Sequence, residues 1–124
     1  MSERGSATLL GSAIAAVILL LGLMVTTAVG VVAAGVGART AADAAALAAV
    51  SPVVRDPEAT ARGVAALNRA RLVRCDCPAP GSAPPLKARV LVETTIQVPF
   101  FGEIRFAAES SAEYTANPPA KAAP

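Results

Sequence analysis

The stretch from Gly5 to Ala38 contains no Asp, Glu, Lys or Arg. Within it, residues 7–36 are dominated by Ala, Val, Leu, Ile and Gly. A helix of that length is about 45 Å long at about 1.5 Å per residue, whereas crossing a bilayer takes about 20 residues. The rest of this short chain has too little surface to cover such a run. The sequence therefore predicts a transmembrane helix over residues 7–36, preceded by a polar head over residues 1–6.

A cleaved secretory signal peptide is an alternative for the same stretch. Signal peptides also combine a short charged head with an apolar core, but that core is usually about 7–15 residues long, roughly half the length found here. The segment Ala28-Val29-Gly30 is a weak match to a cleavage site. A secreted soluble module, released by cleavage, therefore stays open as a second hypothesis.

Small residues recur along the apolar stretch at helical spacings. Because small side chains allow a second helix to approach closely in a membrane, Gly22, Gly30 and Ala34 are predicted helix-packing positions. In so Ala- and Gly-rich a run, composition alone also produces such spacings. The predicted partners of this stretch are the lipid bilayer and, through the apolar helix, further copies of the chain.

The helix is predicted to continue beyond the membrane over residues 37–51. Alanine dominates this segment and is the strongest helix former. Pro52 is expected to end the helix, because the residue before a proline disfavours the helical conformation. Arg39 and Asp43 lie four positions apart on one helix face, where a solvated ion pair is the simplest expectation.

Residues 56–115 are predicted to form a small α+β domain. Asp56-Pro57-Glu58 is typical of a helix start, with an N-cap Asp, Pro at the first helical position and an acidic first turn. The amphipathic helix that follows is expected over about residues 57–70. Residues 87–98 and 103–114 alternate between apolar and polar side chains around the turn Pro99–Gly102, which predicts an antiparallel hairpin.

Residues 72–75 are a candidate third strand, and the proline-containing tail, residues 116–124, is predicted to be disordered. The predicted fold class is thus an α+β membrane protein. One long N-terminal transmembrane helix continues into a short helix, and a small antiparallel β-hairpin or three-stranded sheet follows.

The composition argues against an enzyme. The chain has no His, which removes the commonest general base and metal ligand, and its sequence contains no recognisable nucleophile–base pair, phosphate loop or metal cluster. No catalytic, cofactor-binding or metal-binding residue is therefore predicted. A net charge of +2 without a clustered basic patch gives no reason to expect nucleic-acid binding.

Cys75 and Cys77 are the only cysteines. With one residue between them, they are candidates for a local disulfide, a bridge to another chain or half of a metal site, although no further Cys or His completes a tetrahedral zinc site. A redox pair is more often spaced Cys-x-x-Cys. Two alternatives stay open: a disulfide or thiol pair of structural role only, and a membrane-anchored thiol- or metal-handling protein.

Three segments resemble the TadE/TadG-like family, the pseudopilin-like proteins of tight-adherence (Flp) pilus systems. They are the head Arg4–Thr8, the alanine-rich block Ala41–Ala49, and Ala66–Cys75 followed by an alternating strand. The similarity is closest to the small actinobacterial TadE-like proteins and covers about residues 4–115. It implies a pilin-like fold and a structural role as a minor pilin or pseudopilin-like component of a Tad-type pilus or secretion apparatus, with other Tad components as partners.

The resemblance also implies processing and topology. Pilin precursors of this class are cut after a glycine, so Gly5 and Ser6 would form the processing site. The fifth residue beyond that glycine is a glutamate in such precursors and is Leu10 here. The family keeps the N-terminus in the cytoplasm, which predicts a single-pass cell-membrane protein with an extracytoplasmic C-terminal domain. Charge alone, with most arginines after the span, favours the opposite orientation.

Overall fold

The computed structural model describes the backbone of residues 2–117 and the side chains of residues 5–117. Helix α1 spans Ser2–Ala49, helix α2 spans Pro57–Leu67, and three strands follow: β1 Arg71–Asp76, β2 Leu86–Val98 and β3 Gly102–Tyr114. The strands form one antiparallel sheet in the order β1-β2-β3. The predicted α+β fold, with one long apolar helix, a short helix and a small antiparallel sheet, is confirmed. Of the predicted disordered tail, residues 118–124 lie outside the described residues.

Helix α1 runs without a break from the predicted span into the predicted extension. It contains 48 residues, which corresponds to about 72 Å. Its alanine-rich end stops at Ala49, where Ser51 N–H donates to the Ala48 carbonyl at 3.3 Å. Pro52 follows directly and cannot continue the helical hydrogen bonds.

The last quarter of α1 forms the centre of the core. Its buried side chains recur every three or four residues, as one helix face requires: Ala38, Ala41, Ala42, Ala45, Ala46 and Ala49. Because each presents a single methyl group, the sheet and α2 can approach the helix axis closely. The sheet supplies the two largest fully buried side chains, Val90 and Val92, and the carboxyl-terminal end of α1 is therefore inseparable from the small domain.

Helix α2 begins as the sequence predicts and ends earlier. Ala59 N–H donates to Asp56 Oδ1 at 3.0 Å, and Pro57 opens the helix. The helix stops at Leu67 rather than near residue 70, because Arg69 adopts a left-handed conformation with φ of 57°. Ala70 is then buried against the core, and β1 starts at the next residue.

The predicted alternation of the hairpin is confirmed. Val90, Val92 and Val98 of β2 are buried, whereas Lys87 and Arg89 are exposed. In β3 the inward positions are Ile104, Phe106 and Ala108, as predicted. The register pairs Val98 with Gly102 and leaves Pro99–Phe101 as the turn. We call these three residues the hairpin tip.

The expected ion pair between Arg39 and Asp43 is wrong for the described structure. Asp43 Oδ1 instead accepts a hydrogen bond from Ser110 Oγ of β3 at 2.5 Å. The carboxylate thus ties the helix to the sheet, because β3 passes along this side of α1 and offers a hydroxyl at the same height. Among the described residues, no ion pair joins Arg39 to Asp43.

Candidate functional site: the bare apolar helix and the hairpin tip

The first two thirds of α1 are bare. From residue 5 to residue 37 every side chain is exposed or half-exposed, and burial begins only at Ala38. Large apolar side chains stand free all around the helix, with Leu9 73%, Leu19 74% and Met24 67% exposed. Gly5–Ala49 is the one helix of the described residues that is long and apolar enough to cross a membrane. This part of the chain needs a cover that the described residues do not provide.

Three hydroxyl side chains of the bare segment, those of Ser12, Thr26 and Thr27, form hydrogen bonds with carbonyl groups of the same helix. Ser12 Oγ donates to the Leu9 carbonyl at 2.9 Å, and Thr27 Oγ1 donates to the Leu23 carbonyl at 2.8 Å. Thr26 Oγ1 likewise bonds to carbonyls of the preceding turn, at 3.0 and 3.1 Å. Because hydrocarbon offers no hydrogen-bond partner, such back-bonding makes hydroxyls compatible with an apolar cover.

The predicted packing positions are open. A Cβ atom added at Gly22 or Gly30 would meet no neighbouring atom within 4 Å outside the helix's own backbone and adjacent residues. Ala34 is half-exposed. Gly30 lines a shallow cleft against Ile96 and Val98 of the hairpin, so the hairpin already occupies part of its surroundings. Their role in contact with a second helix stays a prediction.

Sequence reasoning missed a row of valines on α1. Val25, Val29, Val32 and Val36 are 62%, 62%, 66% and 60% exposed, and their spacing of three or four residues places them along one side of the helix. We call this row the valine stripe. The spacing was visible in the sequence, but in a uniformly apolar run it carries no contrast with its neighbours.

The hairpin lies along α1. From the hairpin tip onward, β3 runs in the same direction as α1, toward the carboxyl-terminal end of the helix. Phe106 of β3 contacts the position of Gly35, where an added Cβ would lie 4.0 Å from its ring, and Ser110 bonds to Asp43. Four strand residues thus match eight helix residues, about 13 Å along the strand and about 12 Å along the helix. Continued downward, this match brings the hairpin tip beside the bare segment.

An apolar cleft separates the hairpin tip from the helix. Pro99, Phe100 and Phe101 form one wall of the cleft. The other wall consists of α1 residues: Leu20, Leu23, Met24, Thr27 and Ala28. The only hydroxyl in this lining, that of Thr27, is already bonded to a helix carbonyl. No feature of the sequence indicated that the turn would return to the predicted span.

The outer face of the sheet is charged. Ion pairs join the strands across this face: Arg71–Glu93 at 3.3 Å, Arg74–Glu109 at 3.7 Å, Arg89–Glu109 at 3.4 Å, Lys87–Glu113 at 3.6 Å and Arg105–Glu93 at 4.0 Å. Arg105 also pairs with Glu103 of its own strand at 3.0 Å. The basic members are well exposed, so each pair contributes at most about 1 kcal/mol. The face away from α1 is therefore a water-facing surface.

Cys75 and Cys77 are bonded to each other in a disulfide within the chain. Both are half-buried and pack against the core at the end of β1. In the part of the chain that the structure describes, no group of three or more His, Cys, Asp or Glu side chains comes together to hold a metal ion. The pair thus lies at the edge of the core, away from the bare helix.

Gly5 and Ser6, the residues of the predicted processing site, lie in the first turns of α1 and are exposed. They are distant along the helix from the other candidate residues, and their exposure leaves them accessible to an enzyme. Their role as a processing site stays a prediction.

Comparisons of the chain with protein-family models, with curated proteins and with solved structures find no match. The resemblance to the TadE/TadG-like family therefore stays a prediction. Three features of the structure bear on function: a bare apolar helix, a small domain built around its end, and an apolar turn beside it.

Proposed function

We propose that this protein is a non-enzymatic, single-pass membrane protein that acts as a minor pilin or pseudopilin-like component of a Tad-type pilus or secretion apparatus. The observation that carries the proposal is the division of α1 into two parts. From residue 5 to residue 37 no side chain is buried, and from Ala38 onward the helix is the core of the small domain. A chain built this way joins a hydrophobic anchor rigidly to a folded head.

The energetics favour a membrane for the bare part. Burial of apolar surface stabilises by about 25 cal/mol per Å², so an exposed Leu or Ile forgoes about 1.5–3 kcal/mol in water. Side chains such as Leu19, Leu20 and Leu21, 74%, 59% and 57% exposed, would together make a solvated form unfavourable by several kcal/mol. A bilayer removes this cost without further contacts.

The valine stripe and the open glycines support lateral packing as the mode of action. The sheet covers one side of the upper helix, and the stripe stays uncovered on Val29, Val32 and Val36. An apolar stripe on a rigid helix is the surface that a second helix of similar kind would bury. The partners are then further copies of this chain or other Tad components.

The orientation follows the family resemblance. The head, including the disulfide between Cys75 and Cys77, is placed outside the cytoplasm. Disulfides persist in oxidising compartments, so the bonded pair supports this side. Arginines on the head favour the opposite orientation, and a topology reporter fused after residue 117 distinguishes the two.

The decisive experiment is the intact mass and N-terminal sequence of the protein purified from its native membrane. A chain that begins at Ser6 means prepilin-type processing after Gly5 despite Leu10. A chain that begins at Met1 or Ser2 leaves a plain membrane anchor and removes pilin-like polymerisation as the mechanism. A start beyond Ala28, with the protein free in the medium, means a secreted module and overturns the proposal.

Lateral packing has its own test. A photo-crosslinking residue at Val32, on the uncovered stripe, should capture a second helix in native membranes. The matched position is Val53, which is 86% exposed and lies in the loop after α1, and it should capture far less. Equal capture at both positions would argue against the stripe as a packing surface.

A further inference from the structure

The hairpin tip exposes aromatic side chains in a place where the small domain gains nothing from them. Phe100 is 92% exposed and Phe101 is 78% exposed, and they are two of the three phenylalanines of the chain. Both border the apolar cleft against α1. Exposed apolar clusters of this kind mark contact with a protein partner or a membrane.

The position of the tip along α1 distinguishes between these two. The tip lies beside the helix between Leu20 and Ala28. A helix that enters the hydrocarbon at Gly5 and rises about 1.5 Å per residue has travelled about 30 Å when it reaches Met24. This equals the thickness of a typical hydrocarbon core. With Gly5 as the point of entry, the tip lies at the height where the helix leaves the hydrocarbon.

The charges around the tip agree with an interface. No charged residue lies between Val98 and Gly102. The first polar side chains above the tip are paired with each other: Gln97 faces Glu103 at 3.5 Å, and Glu103 accepts from Arg105 at 3.0 Å. An apolar turn below a polar collar is the arrangement of side chains that sit between headgroups and acyl chains.

The backbone of the tip is strained at a phenylalanine, which indicates that the aromatic side chain is needed there for something other than the turn. Phe101 N–H donates to the Val98 carbonyl at 3.2 Å, which closes a turn in which Phe100 has φ of 69°. Glycine takes this conformation without a steric penalty, whereas a bulky residue is strained there. A purely structural turn would be relieved by glycine at this position.

We propose that the hairpin tip, Pro99–Phe101, enters the interfacial layer of the same bilayer that α1 crosses. The lipid acyl chains then fill the cleft between the tip and Leu20–Ala28. The bilayer segment becomes Gly5 to about Thr27, shorter than residues 7–36. The valine stripe from Val29 upward then lies outside the hydrocarbon, where the lateral helix contact proposed above, rather than lipid, covers it. The inference rests on the proposed membrane span, and the test separates the two.

The chain has no tryptophan, so a single replacement in each variant reports depth without background. The full chain is reconstituted into phosphatidylcholine–phosphatidylglycerol vesicles whose acyl chains are brominated at defined depths. Phe101→Trp supplies the tip tryptophan, Ile14→Trp the span tryptophan in the middle of the proposed span, and Val53→Trp the loop tryptophan after α1. All three replaced side chains are more than half exposed, so folding is little affected.

If the tip lies in the interface, the tip tryptophan is quenched most by bromines near the headgroups. The span tryptophan is then quenched most by bromines near the bilayer centre. The loop tryptophan is quenched by neither set of bromines and stays open to aqueous iodide. We expect the shallow bromines to remove at least half of the emission of the tip tryptophan and to leave the loop tryptophan within about one tenth of its unquenched value.

Three other results have different meanings. If the span tryptophan is quenched deeply while the tip tryptophan behaves like the loop tryptophan, the span is correct and the tip proposal is overturned. If the tip tryptophan is shielded from iodide but not quenched by any brominated lipid, a protein partner covers the tip, and the tip proposal also falls. If the span tryptophan itself remains unquenched, α1 does not cross the bilayer, and the proposed function fails together with the tip proposal.

Discussion

A single substitution at Ala45, compared with the same substitution at Ala33, tests whether the two parts of α1 differ in packing. The Ala45 side chain is fully buried in the core that α1 forms with α2 and the sheet, so Ala45→Leu inserts a larger side chain into a site without free surface. Ala33 on the same helix is exposed, and Ala33→Leu makes the identical chemical change in the open. The small loss of helix propensity, about 0.2 kcal/mol, is common to both variants and cancels in the comparison.

The magnitude follows from the neighbours of Ala45. Inserting carbons into a packed core costs about 1–3 kcal/mol. The core that contains Ala45 consists mainly of alanines, and its largest fully buried side chains are Val90 and Val92. Alanine has no side-chain rotamers and valine has few, so these residues cannot move aside easily. We therefore expect a loss near the upper end, about 3 kcal/mol for Ala45→Leu, and a change within about 0.5 kcal/mol for Ala33→Leu.

Amide hydrogen exchange of the full chain in detergent micelles measures this difference. Amides of β2 at Val90 and Val92 exchange through opening of the head, so a loss of about 3 kcal/mol speeds their exchange by about 100-fold. In Ala33→Leu the same amides should exchange within about threefold of the wild-type rate. If both variants left β2 equally protected, the end of α1 would not be the core of the head, and the structural argument would be refuted.

Three further predictions concern the head, each read as the denaturant midpoint of the full chain. Arg69→Gly should raise the unfolding free energy by about 0.5–1 kcal/mol, because Arg69 has φ of 57° and glycine takes this conformation without strain. The control Ala66→Gly, inside α2, should lower the unfolding free energy by about 1 kcal/mol. A lower unfolding free energy in both variants would contradict the explanation. Ser110→Ala should cost about 1–2 kcal/mol by removing the donor to Asp43, whereas Ser111→Ala on the exposed face should stay within about 0.5 kcal/mol. The double replacement Cys75→Ser, Cys77→Ser opens a very short disulfide loop and should lower the unfolding free energy by about 1–2 kcal/mol. Membrane insertion and assembly should not change. Loss of assembly in a folded double variant would favour the thiol hypothesis instead.

The parts of the fold that were predictable are those governed by near neighbours in the chain. The alternation of β2 and β3 and the cap at Asp56 depend on residues within a few positions, and the structure contains both. The sequence predicts the end of α2 near residue 70, too late, because the residue that usually ends a helix in the left-handed conformation is glycine. Arginine at position 69 gives no such indication. Short-range sequence patterns therefore predict these elements correctly, but they do not predict the end of α2.

The unpredicted parts depend on residues that are far apart in sequence. Asp43 was expected to pair with Arg39 four positions away, yet its partner is Ser110, 67 residues along the chain. The same is true of the hairpin tip, whose place beside Leu20–Ala28 depends on how the whole sheet packs on the helix. The alanines at intervals of three and four from Ala38 to Ala49 are an exception, because a helix face of small side chains indicates close packing against a neighbouring element.

The length of the hairpin determines where its tip falls, because a strand advances about 3.3 Å per residue and a helix only about 1.5 Å. Deleting Thr95 and Ile96 together with their paired residues Arg105 and Ile104 keeps the inward–outward alternation and should draw the tip upward by about 7 Å. In this shortened chain the tip tryptophan should lose its quenching by shallow bromines and become open to iodide, while the span tryptophan keeps its deep position. A tip that stays equally quenched after the deletion would mean that its contact with lipid does not depend on hairpin length, and the geometric match between strand and helix would be irrelevant to it.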